Sequence, residues 1–269
     1  MVHPHLEGLE RVEQQAWADL VRLAPKAFAS AIDLESARIG GALFVMAAKL
    51  PQFQFNFLHG AGLGDDDGRC IAEAVRRFKA AGQTRFIVQV PQGPKAGLIE
   101  SFARDAGLQP TPLAWAKFAR STAEPPIVDT SVVIREAGHS EREMFGQTAV
   151  AGFGMPAAMS GWLAQIVGEP GWHAYLSFDG ETPIGAGALY VNGDYAWCGI
   201  GSTVPNARKR GGQSVMLARR ISDAGSLRAR MVATETGVPQ TDQPAPSYKN
   251  ILSSGFDVAY VRPNWTLPA

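Results

Sequence analysis

The chain has 269 residues, enough for two domains of ordinary size, and its hydrophobic share of 46% is typical of a globular protein with a substantial core. It carries 25 basic and 25 acidic residues, so no global field favours nucleic acid or a membrane surface. Cys70 and Cys198 lie far apart without partners at ligand spacing, which argues against a disulfide framework or a zinc site. Without a long apolar run or a basic flank before one, we expect a cytoplasmic protein.

The first half of the chain predicts helices alternating with short strands. Leu9, Val12, Ala16 and Leu20 follow helical spacing within residues 5–30, and Pro25 ends this pattern. Strands are expected at residues 41–48, 53–58, 85–90 and 115–120, and helices at residues 69–81 and 95–106.

A glycine-rich loop at residues 59–68 precedes the helix expected at residues 69–81. Its three aspartates, Asp65, Asp66 and Asp67, complement the helix dipole as caps and would repel a pyrophosphate. A divalent metal is the alternative, although the spacing of a calcium loop is not met.

The second half begins after a proline-containing linker at residues 121–129. A strand is expected at residues 130–136, followed by a helix that opens on a capping box of Ser140 and Glu143. Three antiparallel strands are then expected at residues 172–178, 182–190 and 194–204, with hairpin turns at Asp179-Gly180 and Asn192-Gly193.

The third of these strands leads into a basic glycine loop and then a helix. Arg208, Lys209 and Arg210 precede Gly211 and Gly212, and the apolar positions that follow have helical spacing. A helix N-terminus leaves backbone N–H groups without intrahelical partners at the positive end of the helix dipole. The loop therefore predicts an anion site, and neither a nucleoside triphosphate loop nor a dinucleotide fingerprint is present.

This loop resembles the pyrophosphate loop of the GNAT acyltransferase superfamily, whose usual pattern is Q/R-x-x-G-x-G/A. Arg208 and Gly211 match it, whereas Gln213 stands where the family has Gly or Ala, so its side chain must be turned aside. Residues 246–256 predict a helix that ends at Gly255-Phe256, and this pattern resembles the helix and Gly-Phe step near the end of GNAT chains. At the family's usual general-acid position, however, this chain has Ile251 instead of tyrosine.

The order of elements in the first half parallels that in the second. The resemblance therefore implies a tandem arrangement, with a degenerate GNAT-like domain at residues 1–124 and a GNAT acetyltransferase domain at residues 125–269. The expected fold class is α/β, with a mixed, mostly antiparallel sheet flanked by helices in each domain.

The resemblance also implies that acetyl-CoA is the cosubstrate and that no metal is used. Its pyrophosphate would bind the basic loop, and its pantetheine would run beside the preceding strand. The residues expected to bind it are Ser202, Thr203, Val204, Arg208, Lys209, Arg210, Gly211, Gly212, Gln213, Ser214, Ser247 and Asn250.

The candidate catalytic residues lie at the end of the strand that follows the basic-loop helix and in the helix at residues 246–256. Glu235 ends a strand and is the candidate general base, the alternative being a structural glutamate that orders its neighbours. Tyr248 lies one helical turn before Ile251 and is the candidate acid, or it packs against the cofactor. A backbone N–H near Val204 is expected to stabilise the developing oxyanion.

The expected acceptor is the amine of a small molecule, and the apolar, glycine-jointed segment at residues 144–167 favours an apolar or aromatic one. We expect no nucleic-acid or membrane partner, and a homodimer is compatible with the sequence. Two alternatives stay open: a non-catalytic acyl-CoA-binding or interaction module, and a transferase of a different acyl group, because the loop recognises pyrophosphate and not the acyl end.

Overall fold

The computed structural model describes residues 3–50, 52–64, 66–241 and 243–268, with the side chain of residue 67 left out. Its helices are α1 (Leu6–Arg22), α2 (Lys26–Ala31), α3 (Asp67–Ala80), α4 (Ala96–Asp105), α5 (Arg142–Phe153), α6 (Ser160–Leu163), α7 (Gly212–Ser226) and α8 (Pro246–Ser253). Its strands are β1 (Leu34–Ile39), β2 (Ala42–Ala47), β3 (Asn56–His59), β4 (Ile87–Gln89), β5 (Gln109–Ser121), β6 (Val133–Glu136), β7 (Trp172–Asp179), β8 (Thr182–Asn192), β9 (Tyr195–Thr203), β10 (Met231–Gly237) and β11 (Asp257–Thr266).

The chain forms two compact units. Unit 1 comprises Met1–Lys117, Thr236–Pro244 and Val258–Ala269, and unit 2 comprises Phe118–Glu235 and Ala245–Asp257. Both are α/β structures with mixed, mostly antiparallel strand pairing, which confirms the predicted fold class. Among the helices that the structure describes, none is both long and apolar enough to cross a bilayer.

Unit 1 is organised around strands in the order β1-β2-β3-β4-β11-β5. The β3–β4 pair is parallel, and β11 runs antiparallel to β4, with Asn264 opposite Gln89. The final strand of the chain therefore lies in unit 1, whereas the sequence analysis assigned residues 125–269 to one domain. Pairing between residues so far apart leaves no local signal in a sequence, and the predicted boundary itself stays a prediction.

The core of unit 1 is rich in phenylalanine. Phe44, Phe78 and Phe86 are fully buried, and the last two rings stack with centroids 4.2 Å apart. Helix α1 buries the apolar stripe that its sequence predicts, including Leu9 and Val12, and it ends before Pro25. The fold of unit 1 thus rests on ordinary hydrophobic burial.

Unit 2 has the strand order β10-β9-β8-β7-β6. Strands β9 and β10 are parallel over residues 195–197 and 231–233, and the other pairs are antiparallel. The two predicted hairpins are confirmed, with Gly180 and Gly193 at φ of 59° and 57°, the left-handed region that such turns require. The β8–β9 pairing shifts register between Ala186 and Ala188, where β9 carries an extra residue.

Three local predictions differ from the structure. Residues 53–55 form a 3₁₀ turn instead of the start of a strand, and β1 has no counterpart among the predicted strands. The capping box is also displaced by two residues, because the Glu141 carboxylate accepts the Gly138 N–H at 3.0 Å while α5 starts without a side-chain cap.

Candidate functional site

The basic glycine loop joins β9 to α7 in unit 2. Lys209 has φ of 64° and Gly211 has φ of 79°, so the chain makes two left-handed turns just before the helix. Gly211 is the N-cap of α7, and no side chain of the described residues caps the first turn. The N–H groups of that turn therefore remain available to an anion at the positive end of a 15-residue helix.

The three basic side chains of the loop have different surroundings. The Arg208 guanidinium donates to the carbonyl oxygens of Thr203 at 3.3 Å and Gly152 at 3.0 Å. Arg210 forms an exposed ion pair with Asp179 at 2.7 Å, and this hydrogen bond lowers the pKa of the Asp179 carboxyl. Lys209 is exposed. Arg208 thus stabilises the loop itself, and all three basic residues are exposed.

Gln213 is accommodated by turning its side chain back onto β9. Its Nε2 donates to the Thr203 hydroxyl at 2.9 Å, which removes the amide group from the helix N-terminus. At the neighbouring position, a Cβ built on Gly212 would meet no described atom within 4 Å. Gly212 itself is buried, but its side-chain direction is clear, and the Gln213 side chain does not obstruct it.

The end of β9 is already engaged by neighbouring elements. The Val204 N–H donates to the Ile184 carbonyl at 2.9 Å, so this amide is not available as an oxyanion donor, contrary to expectation. The Ser202 hydroxyl donates to the Ala149 carbonyl of α5 at 3.2 Å.

Helix α8 brings the remaining candidate residues to α7. The Ser214 hydroxyl donates to the Asn250 side chain at 2.6 Å, which ties the two helices together. Ser247 is exposed, and Ile251 is buried. The Tyr248 ring meets the Phe118 ring edge-on at 5.0 Å, an arrangement that supports packing without assigning a proton-transfer role.

Glu235 lies at the end of β10, where it is half-buried. The Trp197 indole N–H donates to its carboxylate at 2.8 Å. Trp197 also belongs to a row of aromatic rings across three strands, because Trp172 lies 4.9 Å from Tyr190 and 6.3 Å from Trp197. The structure therefore joins the candidate base to a largely buried aromatic cluster that the sequence does not predict.

Two further buried side chains lie near this site, and Arg220 is one that the sequence analysis missed. Burial raises the pKa of the other, the Cys198 thiol. Arg220 is 2% exposed and lies on the inward face of α7 with Met216, Leu217 and Ile221. The helical spacing of the sequence already places Arg220 on an otherwise apolar face of α7. An arginine is buried at such a position only when its N–H donors are hydrogen-bonded, and this pattern could have identified it.

The described residues of the acidic loop in unit 1 form no open anion site. Gly41 and Gly64 approach so closely that a Cβ on Gly41 would lie 2.6 Å from the Gly64 nitrogen, and Lys95 donates to the Gly64 carbonyl. Asp66 occupies the N-cap of α3 but makes no capping bond, so that prediction is wrong for Asp66, which pairs with Arg69 at 2.7 Å. Residue 65 and the side chain of residue 67 lie outside the described residues.

Unit 1 has two other candidate sites among its described residues. A cavity of about 520 Å³ lies between α3 and α4, lined by charged residues of both signs and by Phe102. Glu10, Glu13 and His59 offer three buried groups within metal-binding distance of one another. Arg262 and Lys117 pair with these carboxylates, and their two positive charges disfavour an additional cation.

No protein-family model matches this chain, and no curated protein matches its sequence. Solved structures match it in fold. A GCN5-related N-acetyltransferase from Kribbella flavida has a TM-score of 0.60 at 14% identity, over 97% of this chain and 96% of that one. A GCN5-related N-acetyltransferase from Sphaerobacter thermophilus has a TM-score of 0.58 at 14% identity, over 84% and 80% of the two chains.

A tandem GNAT protein from the clavulanic acid biosynthesis pathway has a TM-score of 0.56 at 17% identity, over 96% of this chain and 95% of that one. The chain therefore has the GNAT fold in a tandem arrangement. The resemblance that the loop and the Gly-Phe step predict is confirmed at the level of fold.

Proposed function

We propose that the protein is an acyl-CoA-dependent N-acetyltransferase that moves an acetyl group to the amine of a small molecule. The observation that carries this proposal is the uncapped first turn of α7, which follows β9 through the left-handed Gly211 and faces open space at Gly212. In a GNAT fold, such a helix N-terminus suits the pyrophosphate of CoA. Neighbours of this fold are named N-acetyltransferases, which supports the same chemistry.

The residues of unit 2 divide the binding task between them. The first-turn amides of Gly212, Gln213 and Ser214 would hold the pyrophosphate, with Lys209 adding positive charge. Ser202, Thr203 and Val204 would line the pantetheine, and Ser247 and Asn250 on α8 would border the same loop. Acetyl-CoA supplies the activated acetyl thioester.

The proposed chemistry is direct transfer in a ternary complex. The acceptor nitrogen bonds to the acyl carbon while the carbon–sulfur bond breaks, and the Glu235 carboxylate takes the proton that the nitrogen loses. The sulfur leaves as a thiolate and receives a proton from the Tyr248 hydroxyl or from water. Trp172 and Trp197 of the aromatic row are buried beside Glu235, and this apolar environment of the proposed base supports an apolar or aromatic amine as acceptor.

The binding step is tested by calorimetric titration of acetyl-CoA, with CoA and ATP as comparison ligands. Wild type is expected to bind acetyl-CoA at micromolar concentration, and Gly212→Asp is expected to weaken binding by about tenfold or more. An aspartate in the first turn favours the helix dipole, so this variant should keep its thermal stability while repelling the anion.

Gly161→Asp is the matched control, because a Cβ there also meets no described atom within 4 Å and Gly161 lies in α6. Equal affinities in all three proteins would contradict the loop assignment, and an absence of acetyl-CoA binding by wild type would contradict the function.

A second candidate is a non-catalytic acyl-CoA-binding module. The buried Ile251 at the family's usual acid position favours it. Tight binding without release of free thiol across a panel of amines would support this alternative over transfer.

A further inference from the structure

Arg220 is a buried cation in the middle of unit 2. Its side chain is 2% exposed, and no acidic residue in the described chain forms an ion pair with it. The guanidinium instead donates to three backbone carbonyls: Nε to Met216 at 3.2 Å, and Nη1 to Ala188 and Gly199 at 3.0 Å each. Burying a guanidinium without a carboxylate partner costs desolvation free energy. The hydrogen bonds to these three carbonyls offset that cost, so they hold the side chain in this position.

Two of these carbonyls flank the bulge in the β8–β9 pair. Ala188 lies opposite Gly199 and Ala186 lies opposite Ser202, so Ile200 and Gly201 share one position of β8. Ile200 has φ of 51°, a conformation that a β-branched residue adopts only when its surroundings enforce it. Arg220 supplies hydrogen bonds where the ladder is interrupted, and so it holds the bulge in place.

The glycines around the bulge make room for this contact. A Cβ on Gly187 would lie 3.4 Å from the Arg220 Cζ, and a Cβ on Gly201 would lie 3.5 Å from its Nη2. A Cβ on Gly199 would instead overlap the Trp197 ring. Arg220 therefore lies on one face of the sheet, and Trp197 with its partner Glu235 lies on the other.

The hydrogen bond to Gly199 determines the direction of the next amide. In a trans peptide the N–H points opposite to the C=O, so the Ile200 N–H points away from Arg220 and α7. A donor on the carbonyl also polarises the same peptide and strengthens its N–H as a donor. The Val204 amide is already bonded to Ile184, whereas the Ile200 N–H points to the face of the sheet on which Trp197 lies.

We propose that Arg220 is a positioning residue for acyl transfer: it binds the Gly199 carbonyl and thereby fixes and polarises the Ile200 N–H as the oxyanion donor. This inference rests on the proposed function. It assigns to unit 2 a buried charge that acts through one peptide group, without contact with either substrate.

The first test is spectroscopic and needs no ligand. In ¹⁵N-labelled protein, Arg220→Met is expected to shift the Ile200 amide proton upfield and to increase hydrogen exchange at residues 199–201. Arg219→Met is the matched control, since this neighbouring arginine is 40% exposed and pairs with Asp223. An unchanged Ile200 amide in Arg220→Met, or faster exchange spread evenly over unit 2, would overturn the proposal.

The second test separates binding from chemistry. In Arg220→Met, kcat is expected to fall by about tenfold or more, while the Kd for acetyl-CoA stays within about twofold of wild type. Arg220→Lys keeps a charged donor, so it should fold if the methionine variant does not and should recover part of kcat. An active wild type with unchanged kcat in both variants overturns the role of Arg220 alone, whereas an inactive wild type overturns the proposed function.

Discussion

At the scale of single residues, the contact between Trp197 and Glu235 bears most directly on chemistry. The indole N–H donates to a half-buried carboxylate, so the charge of Glu235 lies beside the aromatic rings of the sheet. The same bond also supports a structural role, in which Glu235 only orients Trp197. The two roles differ in what happens when the charge is removed and the hydrogen bond is kept.

Glu235→Gln makes this distinction, because a glutamine amide oxygen still accepts from Trp197 but cannot take a proton. We expect its kcat/KM to fall by about a hundredfold between pH 6 and 9, the usual scale of a lost general base. The measurement is free-thiol release from acetyl-CoA with a phenylethylamine as the probe acceptor. Trp197→Phe, which keeps the carboxylate and loses the donor, is the comparison.

If Glu235→Gln stays within about threefold of wild type over that range, the base assignment is wrong. A large loss in Trp197→Phe together with that result would identify the pair as a structural contact.

At the scale of secondary-structure elements, the close approach of α5 to β9 determines the geometry of the site. A Cβ on Gly152 would lie 2.5 Å from the Ser202 hydroxyl and 3.0 Å from the Thr203 nitrogen. The Gly152 carbonyl also accepts from Arg208, so the end of the helix contacts both the strand and the basic loop.

Gly152→Ala is therefore expected to lower the free energy of unfolding by about 1–3 kcal/mol, the usual cost of overpacking a close contact. It should also weaken acetyl-CoA binding, because α5, β9 and Arg208 would have to move apart. Urea unfolding and calorimetry measure the two effects. Gly161→Ala, where the added Cβ meets open space, should show neither, and equal behaviour of the two variants would contradict this account.

Elements with strong local signals could be predicted from the sequence. Asp179-Gly180 and Asn192-Gly193 specify left-handed hairpin turns, and the apolar stripe of α1 has a single period. Strand β1 could not be predicted, since its sequence LESARI has no buried residue and lacks a regular alternation of apolar and polar residues. The place of β11 in the sheet could not be predicted either, because its partner β4 lies far away in the sequence.

The candidate site divides in the same way. The anion-binding character of the loop follows from glycines and arginines that are adjacent in sequence. Arg220, Trp197 and the bulge at Ile200 acquire their roles only when three strands and a helix are brought together. The sequence therefore predicts the loop, whose residues are adjacent in the chain, but it does not predict the contacts of Arg220 and Trp197, which depend on tertiary structure.

At the scale of the whole molecule, unit 1 contains a buried network of charges. Glu10 and Glu13 lie on α1, where Arg262 donates to Glu13 at 2.8 Å and the Tyr260 hydroxyl donates to Glu10 at 2.7 Å. His59 Nε2 lies 2.8 Å from the Glu10 carboxylate, and Lys117 pairs with Glu13. The network joins α1 to β3, β5 and β11, so unit 1 depends on it for the position of its first helix.

Acid is expected to weaken this network. Burial alone would raise the pKa of Glu13, but the attraction of Arg262 and then Lys117 outweighs it and lowers this pKa to about 2. The pKa of Glu10 is lowered in the same way, with burial outweighed by Arg262 and His59. Because the unfolded chain binds these protons near pH 4.5, the stabilisation is complete above that pH and is lost as the pH falls toward 2.

Glu13→Gln should therefore be most destabilised relative to wild type at neutral pH. We expect the substitution to lower the free energy of unfolding by about 3–5 kcal/mol near pH 7, because Arg262 and Lys117 lose a buried counter-charge, and by less near pH 3.

Glu73→Gln is the control. Hydrogen bonds from Arg76 and Arg77 lower the pKa of Glu73 to about 2 as well, but this group lies at the exposed surface of α3. Water screens that pair, so its removal should change stability little at either pH. Urea unfolding of the full chain at the two pH values measures both variants, and similar costs for Glu13→Gln and Glu73→Gln would show that the buried network does not govern the acid sensitivity.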